Sequence, residues 1–562
     1  MGLVGLSLAH GAAQAATIRV TSNSDDSTNN ANCILREAIT AINFPPTLPL
    51  NNGCFVTGTF GNNDTVTFSP NLPNSTIVLN QGELEIESDT KVTINASNIT
   101  GGITVDANQN SRVLDIDGVD FDPNDPEFNI ETTVLIDSLT IENGRNYYSG
   151  GGILVSGDTT QLTLTNSTVT DNQSGNYGGG IFTSGTVNLI DSTVSNNSGN
   201  IGAGIFVEVG ETLNISNSTL SGNVTRTFSG AYGDNGGAIY ANNNSTITIS
   251  DSVITSNSAN LTGGAIDANS GAVVNISNSR LSGNSTIFDS PTSNSDGGAI
   301  HAFGSTITVS NSTLDGNSAF DDGGAIFARN STVEIISSTL SNNSALGEGS
   351  TNDTSNGDGG AIYATMPDTS ITLTNSTLSG NFAGDLGGAV FARASAQVTI
   401  QNSTFSDNES TFLGGALALF SGVQANISNS IIANSTSNNN AGYSDCHFSG
   451  TNTATGVNTA VSTDESTIIE SGDCNANPVR AIDPGLESLA DNGGPTQTHA
   501  LQENSPARDT GILESCTDRD QRGELRDDGD GLCNVGAFEN VSASPDFYVI
   551  PLGNGKSVVI PL

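Results

Sequence analysis

Two kinds of chemistry would suit a chain with 58 Asp and Glu against 15 Lys and Arg. A polysaccharide lyase needs calcium-holding carboxylates beside a base that removes a sugar proton, and a glycoside hydrolase needs two carboxyls flanking the bond to be cut. The bases are few. One lysine, Lys91, stands in the central region, and its arginines, Arg112, Arg145, Arg226, Arg280, Arg329 and Arg393, are scattered singly. Arg329 and Arg393 share a register after Phe-Ala, which reads as a solvated exterior position, and His301 reads as a surface or turn residue. Asp234, Asp296 and Asp358 are the candidate metal carboxylates, and calcium is the ion their hard oxygens suit. No Asp-x-Asp-x-Asp-Gly loop with a closing Glu encloses them. Gly-x-Ser-x-Gly, His-Glu-x-x-His and a phosphate-cradling loop are also missing, so no catalytic residue is assigned.

The elements that would position these residues repeat. Gly-Gly-Ala-Ile or a close variant ends at Ile153, Ile181, Ile205, Ile239, Ile266, Ile300, Ile326, Ile362, Val390 and Leu417. An Asn precedes each anchor, at 143, 172, 197, 223, 257, 284, 317, 343, 381 and 408. Between anchor and next Asn, apolar residues alternate strictly, as in Leu162 and Leu164, Val187 and Leu189, or Ile371 and Leu373. Period two marks half-buried strands, and about three short strands per repeat are expected. Self-similarity of this kind builds a solenoid, here an all-β, right-handed parallel β-helix. The glycine pair forms a tight corner, and the recurrent Asn forms an amide ladder from coil to coil, with Asn172, Asn223, Asn257, Asn317, Asn381 and Asn408 as its members. Composition agrees: 65 glycines, no tryptophan and 35% apolar residues describe a folded β protein rather than a helical or disordered one.

Length variation is confined to one corner. The step from Asn to anchor is usually 9 residues, but it is 16 from Asn223 to Ile239, 16 from Asn284 to Ile300 and 19 from Asn343 to Ile362. The loops 224–235, 285–296 and 344–358 are expected along one side, where per-repeat insertions commonly form a binding face. Arg226, Tyr232 and Phe288 are their larger groups.

A formal net charge of −43 excludes nucleic acid and anionic membrane surfaces as partners. Residues 1–16 read as a signal peptide without its basic n-region, ending at Ala13-Gln14-Ala15. Nothing later approaches a membrane-spanning segment. The cysteines fall in three local groups, Cys33 with Cys54, Cys446 with Cys474 and Cys516 with Cys533. Neighbour pairing and an oxidising compartment are the simplest reading, although six cysteines allow fifteen connectivities. The chain is expected to be a monomer.

Both ends resemble known families. Asn32-Cys33-Ile34-Leu35-Arg36-Glu37-Ala38-Ile39 resembles the Cys-Ser-Leu-Arg-Glu-Ala motif of CSLREA-domain proteins, with Ile34 where Ser is usual. Its helical spacing predicts a short amphipathic helix that caps the open core. Ile482-Asp483-Pro484-Gly485-Leu486, Asp491-Asn492-Gly493-Gly494-Pro495, Asn504-Ser505-Pro506-Ala507, Gln521-Arg522-Gly523 and Val535-Gly536-Ala537-Phe538-Glu539 resemble the choice-of-anchor Q domain. The repeats are similar to those of polymorphic outer membrane proteins, which carry Phe-x-x-Asn where this chain mostly has Leu-Ser-Gly-Asn. The expected organisation is a leader (1–16), an N-terminal cap with first coils (17–135), β-helix repeats (136–440), a disulfide-containing C-terminal region (441–540) and a tail (541–562). The resemblances imply a secreted or bacterial cell-surface protein. The expected function is non-enzymatic binding of a glycan, matrix or another cell, with a calcium-dependent lyase or a glycoside hydrolase as the alternative.

Overall fold

The computed structural model describes residues 15–561 except 27–31, 47–52, 62, 73–75, 88–90, 118–131, 227–232, 288–294, 348–356, 439–444, 450–459, 464–466, 470–471, 474–481, 527–530, 541–546 and 553–555. Residues 1–14 of the expected leader, Tyr232, Phe288, Cys474 and the tips of the three long loops therefore lie outside the described residues. The chain forms two compact units, residues 1–275 with 283–293, and residues 276–282 with 294–562. Each is a right-handed parallel β-helix.

One coil of the first unit shows the plan. Ile153–Ser156 and Gln161–Thr165 are followed by Thr168–Thr170 and then by the two-residue strand Gln173–Ser174. Each pairs in parallel with its equivalent one coil on: Ile181–Thr183, Thr186–Ile190, Thr193–Ser195 and Ser198–Gly199. There are thus four strands per coil rather than three. The fourth is too short to display an alternation, so periodicity could not reveal it. The bore is filled by aliphatic side chains in every register: Leu162, Leu164, Val169 and Ile181 have no exposed surface, and neither do Ile307, Val309, Leu314 and Ile326 in the second unit.

Three corners join the strands. The first is an Asn or Asp with positive φ, such as Asn166 (48°) or Asp191 (50°), followed by a buried Ser. Short polar side chains tolerate this conformation. The Ser hydroxyl accepts from the amide of its equivalent in the preceding coil: Ser167 N–H donates to Ser192 Oγ at 3.1 Å, and Ser192 N–H donates to Ser218 Oγ at 3.0 Å. The second corner holds the asparagines. The third is the glycine pair, where Gly323 takes a φ of 68° and a Cβ on Gly324 would collide with the carbonyl of Gly360 in the next coil. One glycine supplies the turn and the other the close approach.

The first unit begins with Thr17–Val20, paired in parallel with Asp64–Phe68 and antiparallel with Phe55–Thr57. The helix Leu35–Asn43 buries Leu35, Ala38, Ile39, Ala41 and Ile42 over this end. Glu37 accepts from the Ile34 amide at 3.3 Å, whereas the Ile34 side chain has no oxygen with which to return the bond. A disulfide joins Cys33 to Cys54.

In the second unit the strands continue past residue 440. Cys446–Phe448 pairs with Leu417–Leu419, and Ala460–Thr463 pairs with Gln424–Ser428. Residues 482–540 then return along the outside of the unit. Thr339 Oγ1 donates to Gln497 O at 2.6 Å, Thr377 Oγ1 donates to Gln521 Oε1 at 2.6 Å, and Ala537 N–H donates to Thr404 Oγ1 at 2.9 Å. Leu501, Ala507, Val535 and Phe538 join Ile431, Ala433 and Ile468 in one apolar cluster. The strap is closed by the Cys516–Cys533 disulfide and by Arg526, which donates to Asn534 O, Gly536 O and Asn375 Oδ1 and faces Glu539 at 3.6 Å. Burial dominates for both partners, pulling Arg526 down to about 10 and pushing Glu539 up to about 7. Cys446 is also disulfide-bonded. The tail forms an antiparallel hairpin, Phe547–Leu552 with Lys556–Pro561.

Candidate functional site

The asparagines at the second corner are structural. In the first unit Asn172 Nδ2 donates to Asn197 Oδ1, Asn197 Nδ2 to Asn223 Oδ1, Asn223 Nδ2 to Asn257 Oδ1 and Asn257 Nδ2 to Asn284 Oδ1, all at 2.9–3.0 Å. In the second unit the series runs Asn317, Asn343, Asn381, Asn408, again at 2.9–3.0 Å. Asn143 is off this register. Gly144 pairs with Asn172, and Asn143 takes the positive-φ position (54°) that Asp171 and Asn196 occupy in the next coils.

The three candidate metal carboxylates are divided between the two units. In the first unit Asp234 is buried and accepts from Asn260 Nδ2 at 3.1 Å. In the second unit Asp296 and Asp358 belong to a file with Asp322 between them. Asp296 Oδ1 accepts from Asp322 N–H, Asp322 Oδ1 from Asp358 N–H, and Asp358 Oδ1 from Leu386 N–H, at 3.2, 3.0 and 3.0 Å. The carboxylates hold the backbone of successive coils instead of pointing at one centre. Among the described residues no group of three or more His, Cys, Asp or Glu side chains could hold a metal ion. Burial, with the neighbouring Asp296 and Asp358, raises Asp322 well above the usual carboxylate range, and burial with Asp385 does the same for Asp358.

The outward position after most anchors carries a ring, Leu154, Asp267 and Ala418 being the exceptions. Phe182, Phe206 and Tyr240 stack at 5.3 and 5.0 Å in the first unit. His301, Phe327 and Tyr363 stack at 5.2 and 4.9 Å in the second, where Phe391 leans on Tyr363 at 5.4 Å with the rings tilted by 35°. His301 is therefore half-buried in a strand rather than loose in a turn. Arg393 is not simply solvated either, because its guanidinium lies 5.3 Å from the Tyr363 ring, whereas Arg329 is exposed beside Phe303. An aromatic directly after the anchor Ile was the available signal for this file.

In the first unit exposed rings gather at the corner before the anchor. Tyr147 and Tyr148 are 72% and 68% exposed with rings 5.0 Å apart. Tyr177 follows one coil on, 38% exposed, its amide donating to Tyr148 O. Beside them a cleft of about 590 Å3 opens between the capping helix and the first coils. Three arginines far apart in sequence meet there: Arg36, Arg112 and Arg145. Arg36 is held by Asp25 and by the carbonyls of Gly82 and Glu83. Arg112 is held by Glu83, Asp115 and the carbonyls of Ser149 and Gly150. Arg145 is exposed, and its guanidinium makes no hydrogen bond or ion pair among the described residues. Behind the cleft, burial and the nearby Glu83, Asp117 and Glu85 carboxylates push Asp115 up to about 6 against the opposing pull of Arg112.

Of the remaining sequence candidates, Lys91 is exposed, Arg280 pairs with Asp315 at 2.7 Å, and Arg226 lines a smaller groove with Asp171 and Asn196.

Residues 337–365 match the Chlamydia polymorphic membrane protein repeat. No curated protein matches the chain. Among solved structures, the crystal structure of pectate lyase Pel9A aligns over 93% of this chain and 96% of its own, with 13% identity and a TM-score of 0.30. Among the described residues no helix is long and apolar enough to cross a membrane, a statement that does not extend to strands.

Proposed function

We propose that this chain is a surface-associated β-helix protein that binds an extracellular glycan without cleaving it. The observation that carries the reading is the strip of exposed tyrosines, Tyr147, Tyr148 and Tyr177, on neighbouring coils beside an open polar cleft. Rings with an apolar face and a wet edge suit sugars, whose C–H faces stack and whose hydroxyls hydrogen-bond. Surface location is supported by the repeat match at 337–365 and by the disulfides, which belong to oxidising compartments. A glycan array probed with the full chain and with the triple variant Tyr147→Ala, Tyr148→Ala, Tyr177→Ala tests it. Retention by the wild type and loss by the variant are expected. A blank array, or equal retention, would overturn it.

One observation favours a second reading, a glycoside hydrolase. Burial raises Asp115 to about 6 despite its ion pair with Arg112, just behind a cleft that Glu83 and Glu85 line, and that is the direction a general acid needs. Release of reducing ends from bound oligosaccharide, abolished in Asp115→Asn, would support hydrolysis over simple binding.

A further inference from the structure

We infer that the cleft beside the capping helix takes a neutral, hydroxyl-rich oligosaccharide, with Tyr147 as its stacking platform. The inference rests on the glycan reading above and adds the site and the class of sugar. Four features of the first unit carry it.

The size is right, since 590 Å3 lies within the roughly 300–1,000 Å3 of small-ligand pockets. Apolar surface is offered where a sugar ring would lie, because Phe44 and Tyr147 line the cleft and are 65% and 72% exposed. Such exposure is costly in water and is relieved by covering the rings. The third feature is an inventory of unused polar groups. Arg36 and Arg112 have their guanidinium groups occupied by carboxylates and carbonyls and are walls of the cleft rather than ligand contacts. Arg145, Glu85 and Glu87 also line the cleft, and their side chains make no hydrogen bond or ion pair among the described residues. A carboxylate accepts from two vicinal hydroxyls, and a guanidinium donates to a ring or hydroxyl oxygen.

The fourth feature selects among sugars. The uncommitted charges are two carboxylates and one guanidinium, on a chain whose formal net charge is −43. A uronic acid would find one partner and two like charges, and it would be repelled on approach by the protein as a whole. A neutral pyranose uses all three groups as hydrogen-bonding partners and pays no such penalty.

Isothermal titration of the full chain with cellohexaose, mannohexaose and hexagalacturonate tests this, alongside Tyr147→Ala and the double variant Glu85→Gln, Glu87→Gln. Both variants change exposed side chains, and circular dichroism confirms that they fold. The expected result is binding of a neutral hexasaccharide, nearly independent of salt between about 50 and 300 mM, weakened about tenfold or more by each variant. Binding of a neutral probe that both variants retain at full strength would overturn the assignment to this cleft while leaving the glycan reading intact. Binding of hexagalacturonate alone would overturn the class of sugar. Binding of none of the three would overturn both.

Discussion

Removing one rung of the asparagine ladder shows how much the stack depends on it. Asn381 has no exposed surface, and its Oδ1 accepts from both the amide and the Nδ2 of Asn343 at 3.0 Å. Its own Nδ2 donates to Leu340 O at 3.0 Å and to Asn408 Oδ1 at 2.9 Å. Asn381→Ala therefore strands two buried donor hydrogens on Asn343, while Asn408 Oδ1 keeps the Asn381 amide as a partner. At about 1–3 kcal/mol for each buried unsatisfied group, the loss is about 2–6 kcal/mol. Asn381→Leu separates hydrogen bonding from packing, since it restores side-chain volume but no acceptor. Urea unfolding followed by circular dichroism reads both, and the two variants should lose comparable stability. A leucine variant within about 0.5 kcal/mol of wild type, the scatter of an ordinary surface substitution, would refute the claim that the amides rather than their volume hold the corner.

Two further consequences concern the second unit. Asp322 sits among Asp296, Asp358, Tyr363 and Arg393, and its carboxyl is held well above the ordinary value of 3.8. The folded state therefore binds this proton more tightly than the unfolded chain, so stability is fully present below the unfolded value and is lost as pH rises through the folded one. Thermal unfolding should show a higher midpoint at about pH 5 than at about pH 8, and Asp322→Asn, which keeps an oxygen for the Gly357 and Asp358 amides, should flatten that dependence. An unchanged pH profile in the variant would contradict it. At the strap, Arg526→Ala leaves Glu539 without its cationic partner and two backbone carbonyls without their donor, at about 3–5 kcal/mol, and limited proteolysis should then cut within 482–540 while sparing the coils. Equal resistance of wild type and variant would count against the strap being held there.

The stacking was legible because each register keeps one class of residue, aliphatic, small or amide. Ile after the glycine pair, alternating aliphatics and the corner Asn each recur at nearly constant spacing, and burial follows them residue by residue. What escaped has physical reasons. Asn143 was misplaced by one position because Asn serves both the left-handed corner and the ladder, and only the pairing of Gly144 with Asn172 separates the two roles. The fourth strand escaped because two residues cannot show a period. Phe327 and Tyr363 point outward from their strands, where alternation predicts solvent, yet they are 6% and 1% exposed because each ring covers the next. The cleft was the least legible feature. Arg36 was visible only as part of an N-terminal motif and Arg145 only as an isolated cation, and the register that brings them together is set by the coils stacked between them.

Saturation-transfer NMR on the intact chain with a neutral oligosaccharide tests the proposed function most directly, because it reports contact and turnover in one spectrum. Saturation of the sugar C–H protons from the tyrosine rings is expected, lost in Tyr147→Ala, with the carbohydrate resonances unchanged over hours. No transfer to any sugar, or new anomeric signals growing with time, would contradict it.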